Sequence, residues 1–156
     1  MDAPCAPPIS GTVLEVGAGS GTWVSVYADF IDPSLRRGAE PGTRSTGGTV
    51  TRILGVEPNA TNQGALRAAV TASGLDGIYE PVPCGIEDLE ATGAVEPASV
   101  DCIFVNQVLC GIPEPQRNIK ELYRYLKPGG RIYVYEHVVV DRRLGMWLYQ
   151  GWLTSP

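Results

Sequence analysis

Short β-branched and apolar runs alternate with polar, helix-forming stretches along most of this chain. Five such runs predict β-strands, at residues 12–16, 51–57, 78–82, 100–105 and 131–140. Three intervening stretches predict helices, at residues 22–30, 60–73 and 113–126. Residues 85–91 are expected to form a loop or a short turn of helix. This alternation predicts an α/β fold with a doubly wound, mostly parallel sheet of about five strands.

The length of the chain indicates one domain, and its net charge argues against a nucleic-acid partner. The chain has 156 residues, which fits one domain over residues 1–156. We expect a flexible lead at 1–11, a loop insertion at 31–48 and an apolar C-terminal segment at 141–156. With 12 basic against 17 acidic residues the net charge is −5, so nucleic acid is not an expected partner.

Neither a targeting signal nor a metal site is expected. The first ten residues lack a basic region followed by an apolar core, and the longest apolar run, at 144–153, is about half the length that spans a membrane. The cysteines are scattered without a CxxC pair and the chain has one histidine, so we expect reduced thiols, no metal and a cytoplasmic protein without stable membrane insertion.

A glycine-rich turn directly follows the first strand. Ligands of open parallel sheets bind at the carboxyl ends of the strands, and glycines there allow sharp turns and close approach to backbone N–H groups. A dinucleotide site usually has G-x-G-x-x-G, but Thr22 stands at the third glycine position, which disfavours an NAD-dependent dehydrogenase. An ordinary glycine turn between strand and helix is the alternative to a ligand site.

Residues 13–21 (VLEVGAGSG) resemble motif I of the class I S-adenosylmethionine-dependent methyltransferases. The resemblance implies a Rossmann-like fold and S-adenosyl-L-methionine as cofactor. It assigns cofactor contacts to five residues of this turn, which are Glu15, Gly17, Ala18, Gly19 and Gly21.

The end of the second strand resembles the family's ribose-binding acid. Glu57, followed by Pro58, can accept hydrogen bonds from both ribose hydroxyls; the alternative is a solvated acid that caps the next helix. The loop at 31–48 accounts for the long separation between the glycine turn and this acid.

Two later segments resemble the family's adenine and methionine subsites. Residues 85–89 (GIEDL) resemble the adenine loop, with Ile86 in contact, but Gly85 stands where the family commonly has an acid. That role then passes to Glu87 or Asp88, or is lost. Asn106 and Gln107 stand where the family lines the methionine part of the cofactor and the acceptor entrance.

The resemblance covers residues 12–140, including a helix stop and turn at 122–131 (LYRYLKPGGR), and is nearest to the UbiE-like and small-molecule thiol methyltransferase branches. The family's sheet normally has seven strands, so we expect a chain shortened at both ends, without the C-terminal β-hairpin. An open edge at the fifth strand would invite pairing with another chain. The apolar segment at 141–156 would pack on its own sheet, form a homodimer or bind an apolar partner.

The expected reaction is methyl transfer to a small-molecule acceptor, whose reacting O, S, N or C atom is not resolved. His137, at the end of the fifth strand, is the candidate catalytic base, and a packed histidine is its alternative. Glu136 should face the other side of a regular strand. Three alternatives stay open: a catalytically impaired pseudoenzyme, an interaction protein, and chemistry other than methylation on the same fold.

Overall fold

The computed structural model describes residues 9–31 and 49–137. The strands are β1 (Gly11–Val16), β2 (Val50–Val56), β3 (Tyr79–Val82), β4 (Val100–Asn106) and β5 (Leu126–Tyr135). The helices are α1 (Val24–Tyr27), α2 (Ala60–Ala72), α3 (Leu89–Thr92) and α4 (Pro115–Tyr125). Single 3₁₀ turns follow α1 at Ala28–Phe30 and precede α3 at Ile86–Asp88.

The five strands form one parallel sheet in the order β3-β2-β1-β4-β5. The predicted α/β fold with a parallel, Rossmann-like sheet is therefore confirmed. The order reverses between β1 and β4, and this is the point where doubly wound sheets bind ligands. Because all the strands are parallel, the segments that follow them emerge at one edge of the sheet.

Each face of the sheet is covered by its own apolar layer. Val13, Ile53 and Cys102 pack on one face with buried residues of α1 and α2. The next residues along the same strands, Leu14, Leu54 and Ile103, pack on the other face with residues of α3 and α4. Burial on both faces explains why β2 and β4 read as nearly continuous apolar runs.

Two elements differ from the sequence expectations. The helix expected at 22–30 is a four-residue α1 followed by a 3₁₀ turn, because its β-branched and aromatic side chains disfavour a longer α-helix. β5 begins at Leu126, but its pairing with β4 jumps from Leu126 to Arg131, so residues 127–130 form a bulge where a turn was expected. β5 ends at Tyr135, and residues 138–140 of the expected strand lie outside the described residues. Most of the expected lead and loop, and all of 141–156, also lie outside them.

An acidic side chain is buried in the core beneath the glycine turn. Glu15 of β1 is 2% exposed, and the Tyr79 hydroxyl of β3 donates to its Oε2 at 2.5 Å. Tyr79 reaches across Gly55 of β2, where a Cβ would overlap the phenol ring. Burial raises the pKa of Glu15 to about 7, although the hydrogen bond from Tyr79 opposes this shift.

This buried acid makes the stability depend on pH. The folded state holds a proton on Glu15 between pH 4.5 and about 7, where the unfolded chain releases it. Its stabilising contribution is complete below the unfolded pKa and is lost as the pH rises through the folded pKa. We expect Glu15→Gln to remove this dependence, so that the difference in unfolding free energy between wild type and variant changes by about 2–3 kcal/mol from pH 5 to pH 8.

Urea unfolding at both pH values measures that difference. Glu80→Gln is the matched control, because Glu80 is an exposed acid of β3 in a surface pair with Arg52. An unchanged pH slope in the Glu15→Gln protein would contradict the assignment.

Candidate functional site

A cavity of about 280 Å³ lies at the switch point of the sheet, where β1, β2 and β4 end. Its walls are the ends of β1 and β2 and the segments that follow β3 and β4. Six of the predicted cofactor residues line it: Gly17, Glu57, Pro58, Ile86, Glu87 and Gln107. The structure thus gathers residues from four separate stretches of the sequence around one space.

The glycine turn is closed by hydrogen bonds within the chain. The amides of Gly17 and Ala18 both donate to the carbonyl of Val56 at 3.0 Å. The amide of Gly21 donates to the carbonyl of Ala18 at 3.0 Å. These three N–H groups have acceptors inside the protein, so the turn holds its shape without a ligand.

The three glycines of the turn have left-handed backbones, but their surroundings differ. A Cβ on Gly17 would overlap the side chain of Val108, and one on Gly21 would lie 2.6 Å from the Cβ of Ala69. Within residues 9–31 and 49–137, no heavy atom beyond its own chain neighbours lies within 4 Å of a Cβ built on Gly19. The turn is therefore crowded on its protein side and open at Gly19, as expected of a backbone that a ligand approaches.

Glu57 connects the glycine turn to the start of α2. Its side chain accepts from the amide of Gly19 at Oε2 and from the amide of Asn59 at Oε1, both at 2.8 Å. Glu57 is 7% exposed, which is not the solvated acid of the alternative interpretation, and the side chain of Asn59 caps α2 instead. Each carboxylate oxygen can accept a second hydrogen bond, so a vicinal diol suits this group.

Glu87 takes the space of the side chain that Gly85 lacks. A Cβ built on Gly85 would lie 2.6 Å from the carboxyl atoms of Glu87. Glu87 also lines the cavity, whereas its neighbour Asp88 does not. Of the two acids that the sequence left open, the geometry favours Glu87.

At the end of β4, a buried polar atom has no partner. Asn106 is 8% exposed, and its Oδ1 has no hydrogen-bond partner in the described part of the chain. The next residue, Gln107, lines the cavity, and its Nε2 lies 2.9 Å from Nε2 of His137. An orphaned acceptor on the residue before Gln107 suits a ligand that carries N–H donors, such as an ammonium group.

Several predicted residues do not line the cavity directly. The residues that do not line it are Ala18, Gly19, Gly21, Asp88 and Asn106. Glu15 does not line it either, and its side chain points into the core towards Tyr79. Val16, the next residue of β1, lines the cavity instead.

The cavity wall at residues 110–113, after β4, was not predicted from the sequence, where a run of turn-forming and apolar residues is its only signal. Glu136 and His137 were expected on opposite faces of a strand. Both contact the segment after β4, because β5 ends at Tyr135 and strand alternation no longer applies.

The described residues contain neither a metal-binding cluster nor a membrane-spanning helix. No group of three or more His, Cys, Asp or Glu side chains within residues 9–31 and 49–137 is arranged to hold a metal ion. No helix in the same ranges is long and apolar enough to cross a membrane.

A family model described as a methyltransferase domain matches residues 37–134. The match covers more than half of the sequence. The chain belongs to this family. Because the match begins after the glycine turn, the turn's resemblance to motif I is a separate line of support. A methyltransferase domain whose glycine turn resembles motif I indicates S-adenosylmethionine as its cofactor.

Three solved structures with the same fold have different names and activities. A candidate S-adenosyl-L-methionine-dependent methyltransferase from Methanococcus maripaludis aligns with a TM-score of 0.62 and 16% identity over 82% of this chain and 48% of its own. The (4+2)-cyclase SpnF aligns with a TM-score of 0.59 and 20% identity over 80% of this chain and 38% of its own. Geranyl diphosphate C-methyltransferase from Streptomyces coelicolor was solved with S-adenosyl-L-homocysteine. It aligns with a TM-score of 0.58 and 16% identity over 81% of this chain and 38% of its own.

A curated protein, thiol S-methyltransferase TMT1B of Rattus norvegicus, is 39% identical over 41 residues, or 26% of this chain. The chain spans 17% of that rat protein and less than half of each of the three solved structures.

Proposed function

We propose that a single methyltransferase-like domain binds S-adenosylmethionine in the cavity at the switch point and transfers its methyl group to a small-molecule acceptor. The observation that carries the proposal is the buried Glu57 carboxylate, fixed by the amides of Gly19 and Asn59 beside an open cavity. A carboxylate held in this way suits the two hydroxyls of a ribose.

The remaining residues suit the other parts of the same cofactor. Ile86 and Glu87 would hold the adenine, with Glu87 as acceptor for its exocyclic amine. The orphaned Oδ1 of Asn106 suits the ammonium of the methionine part, with Gln107 beside it. When bound, the cofactor supplies an electrophilic methyl group on a sulfonium. The protein's part is then to exclude water and to hold the acceptor atom behind that methyl group.

A thiol is the acceptor that we would test first. The 41-residue similarity to a thiol S-methyltransferase supports this choice. Thiols ionise near pH 8.5, so they need less help from a base than hydroxyl groups do. For an acceptor that must lose a proton, we propose His137, whose Nε2 contacts Gln107 at the edge of the cavity.

Calorimetric titration with S-adenosylmethionine, S-adenosylhomocysteine and NAD tests the cofactor assignment. We expect micromolar binding of the first two and none of NAD. Glu57→Ala should weaken binding about 10- to 100-fold, because it removes charge-assisted hydrogen bonds to the ribose. Glu80→Ala is the control, and its affinity should equal that of wild type. Failure of a folded wild-type chain to bind either adenosyl compound would refute the proposal.

A second pair of variants separates the two acids of the adenine loop. Glu87→Ala should weaken binding of S-adenosylhomocysteine about 5- to 10-fold, because its carboxylate lines the cavity. Asp88→Ala should leave the affinity unchanged, because Asp88 does not line it. Equal effects of the two substitutions, or the reverse order, would remove Glu87 from the adenine site.

A panel of thiols and phenols tests the acceptor class and His137 together. With radiolabelled methyl donor, we expect transfer to at least one thiol. His137→Asn should reduce transfer to a phenol about 100-fold or more, and transfer to a thiol far less, because general-base catalysis matters most for the weaker acid. Equal losses on both acceptors would argue that His137 is structural. Tight cofactor binding without transfer to any acceptor would favour the pseudoenzyme.

A further inference from the structure

We propose that Glu136 is a positioning residue of the cavity, whose carboxylate holds the segment after β4 at a fixed distance from the glycine turn. Its effect on cofactor affinity rests on the function proposed above. Glu136 does not line the cavity, so it acts through the residues that it holds.

The carboxylate of Glu136 binds two consecutive amides. Its Oε1 accepts from the N–H of Val108 at 2.7 Å and from the N–H of Leu109 at 2.9 Å. These are the second and third residues after β4, beyond Asn106, the last residue of β4 that pairs with β5. Hydrogen bonds to an ionised carboxylate are roughly twice as strong as those between neutral groups.

A backbone hydrogen bond fixes the same segment one residue earlier. The amide of Gln107 donates to the carbonyl of Tyr135, the residue before Glu136, at 2.9 Å. Three consecutive amides are thus held by two consecutive residues at the end of β5. No ion pair to Glu136 is present within residues 9–31 and 49–137, so in this part of the chain the two amides are its partners.

The backbone at this point needs such support. Gln107 has a φ of 52°, in the left-handed region that non-glycine residues rarely adopt. A residue held there costs of order 1–3 kcal/mol, and persists where the surroundings determine its conformation. The hydrogen bonds from the amides of Gln107 and Val108 to the end of β5 fix the conformation here.

Val108 transmits the position of this segment to the glycine turn. It lines the cavity, and its side chain lies so close to Gly17 that a Cβ on Gly17 would overlap it. Gln107 and residues 110–113 form the rest of the same wall. Release of the Val108 amide would therefore loosen the contact between the two sides of the cavity.

Amide hydrogen exchange by NMR, without any cofactor, tests the contact itself. In Glu136→Ala we expect exchange of the Val108 and Leu109 amides at least about 10-fold faster than in wild type, with a shifted amide resonance at Gly17. Glu136→Gln should be intermediate, because its neutral oxygen can still accept both bonds. Glu80→Ala should change none of these signals.

Affinity for S-adenosylhomocysteine tests the consequence. We expect it to fall about 10-fold in Glu136→Ala and less in Glu136→Gln, with all variants folded by circular dichroism. Unchanged amide exchange in Glu136→Ala would overturn the inference, and so would unchanged affinity in a protein whose exchange had risen. If wild type bound no S-adenosylhomocysteine, the proposed function would fail. The exchange rates and the Gly17 resonance would still decide whether Glu136 holds the wall.

Discussion

One residue, Glu57, holds together the part of the molecule on which the site depends. Its amide donates to the carbonyl of Val82 at the end of β3, and its own carbonyl accepts from the side chain of Gln63 in α2. Its carboxylate accepts from the amides of Gly19 and Asn59. A carboxylate with 7% exposure is costly unless it is hydrogen-bonded, and these amides offset that cost. Because these hydrogen bonds already orient the carboxylate, less side-chain entropy is lost when a ligand binds to it.

The sequence predicted the fold well because burial leaves a direct trace in it. β2 and β4 are covered on both faces, so each appears as an apolar run whose ends are right to within one residue. Glu57, and Glu87 or Asp88, were expected at one edge of the sheet because residues that follow parallel strands meet there. Glu57 and Glu87 line the cavity at that edge. Position along the chain was enough for this expectation, without knowledge of any side-chain direction.

The directions of individual side chains could not be predicted from the sequence. Glu15 belongs to the motif that resembles a cofactor site, yet its side chain lies on the face of β1 that packs against α1 and α2, where it accepts a hydrogen bond from Tyr79. That choice depends on the register of β1 and on Gly55, which leaves room for the phenol ring. Likewise, Glu136 reaches the segment after β4 because β5 ends one residue earlier, and the end of an edge strand leaves little trace in composition.

The two sides of the cavity are held by different forces. The side formed by the glycine turn and Glu57 is continuous with the apolar core, where Leu66 and Ala69 of α2 pack beneath Gly21. The side formed by the segment after β4 is held by three amide hydrogen bonds to the end of β5 and by Val108 against Gly17. Core packing tolerates little change, whereas surface segments vary and carry specificity. The core-backed side is therefore suited to the constant adenosine half of the cofactor. The segment after β4 is the side on which we expect acceptor selectivity to be determined.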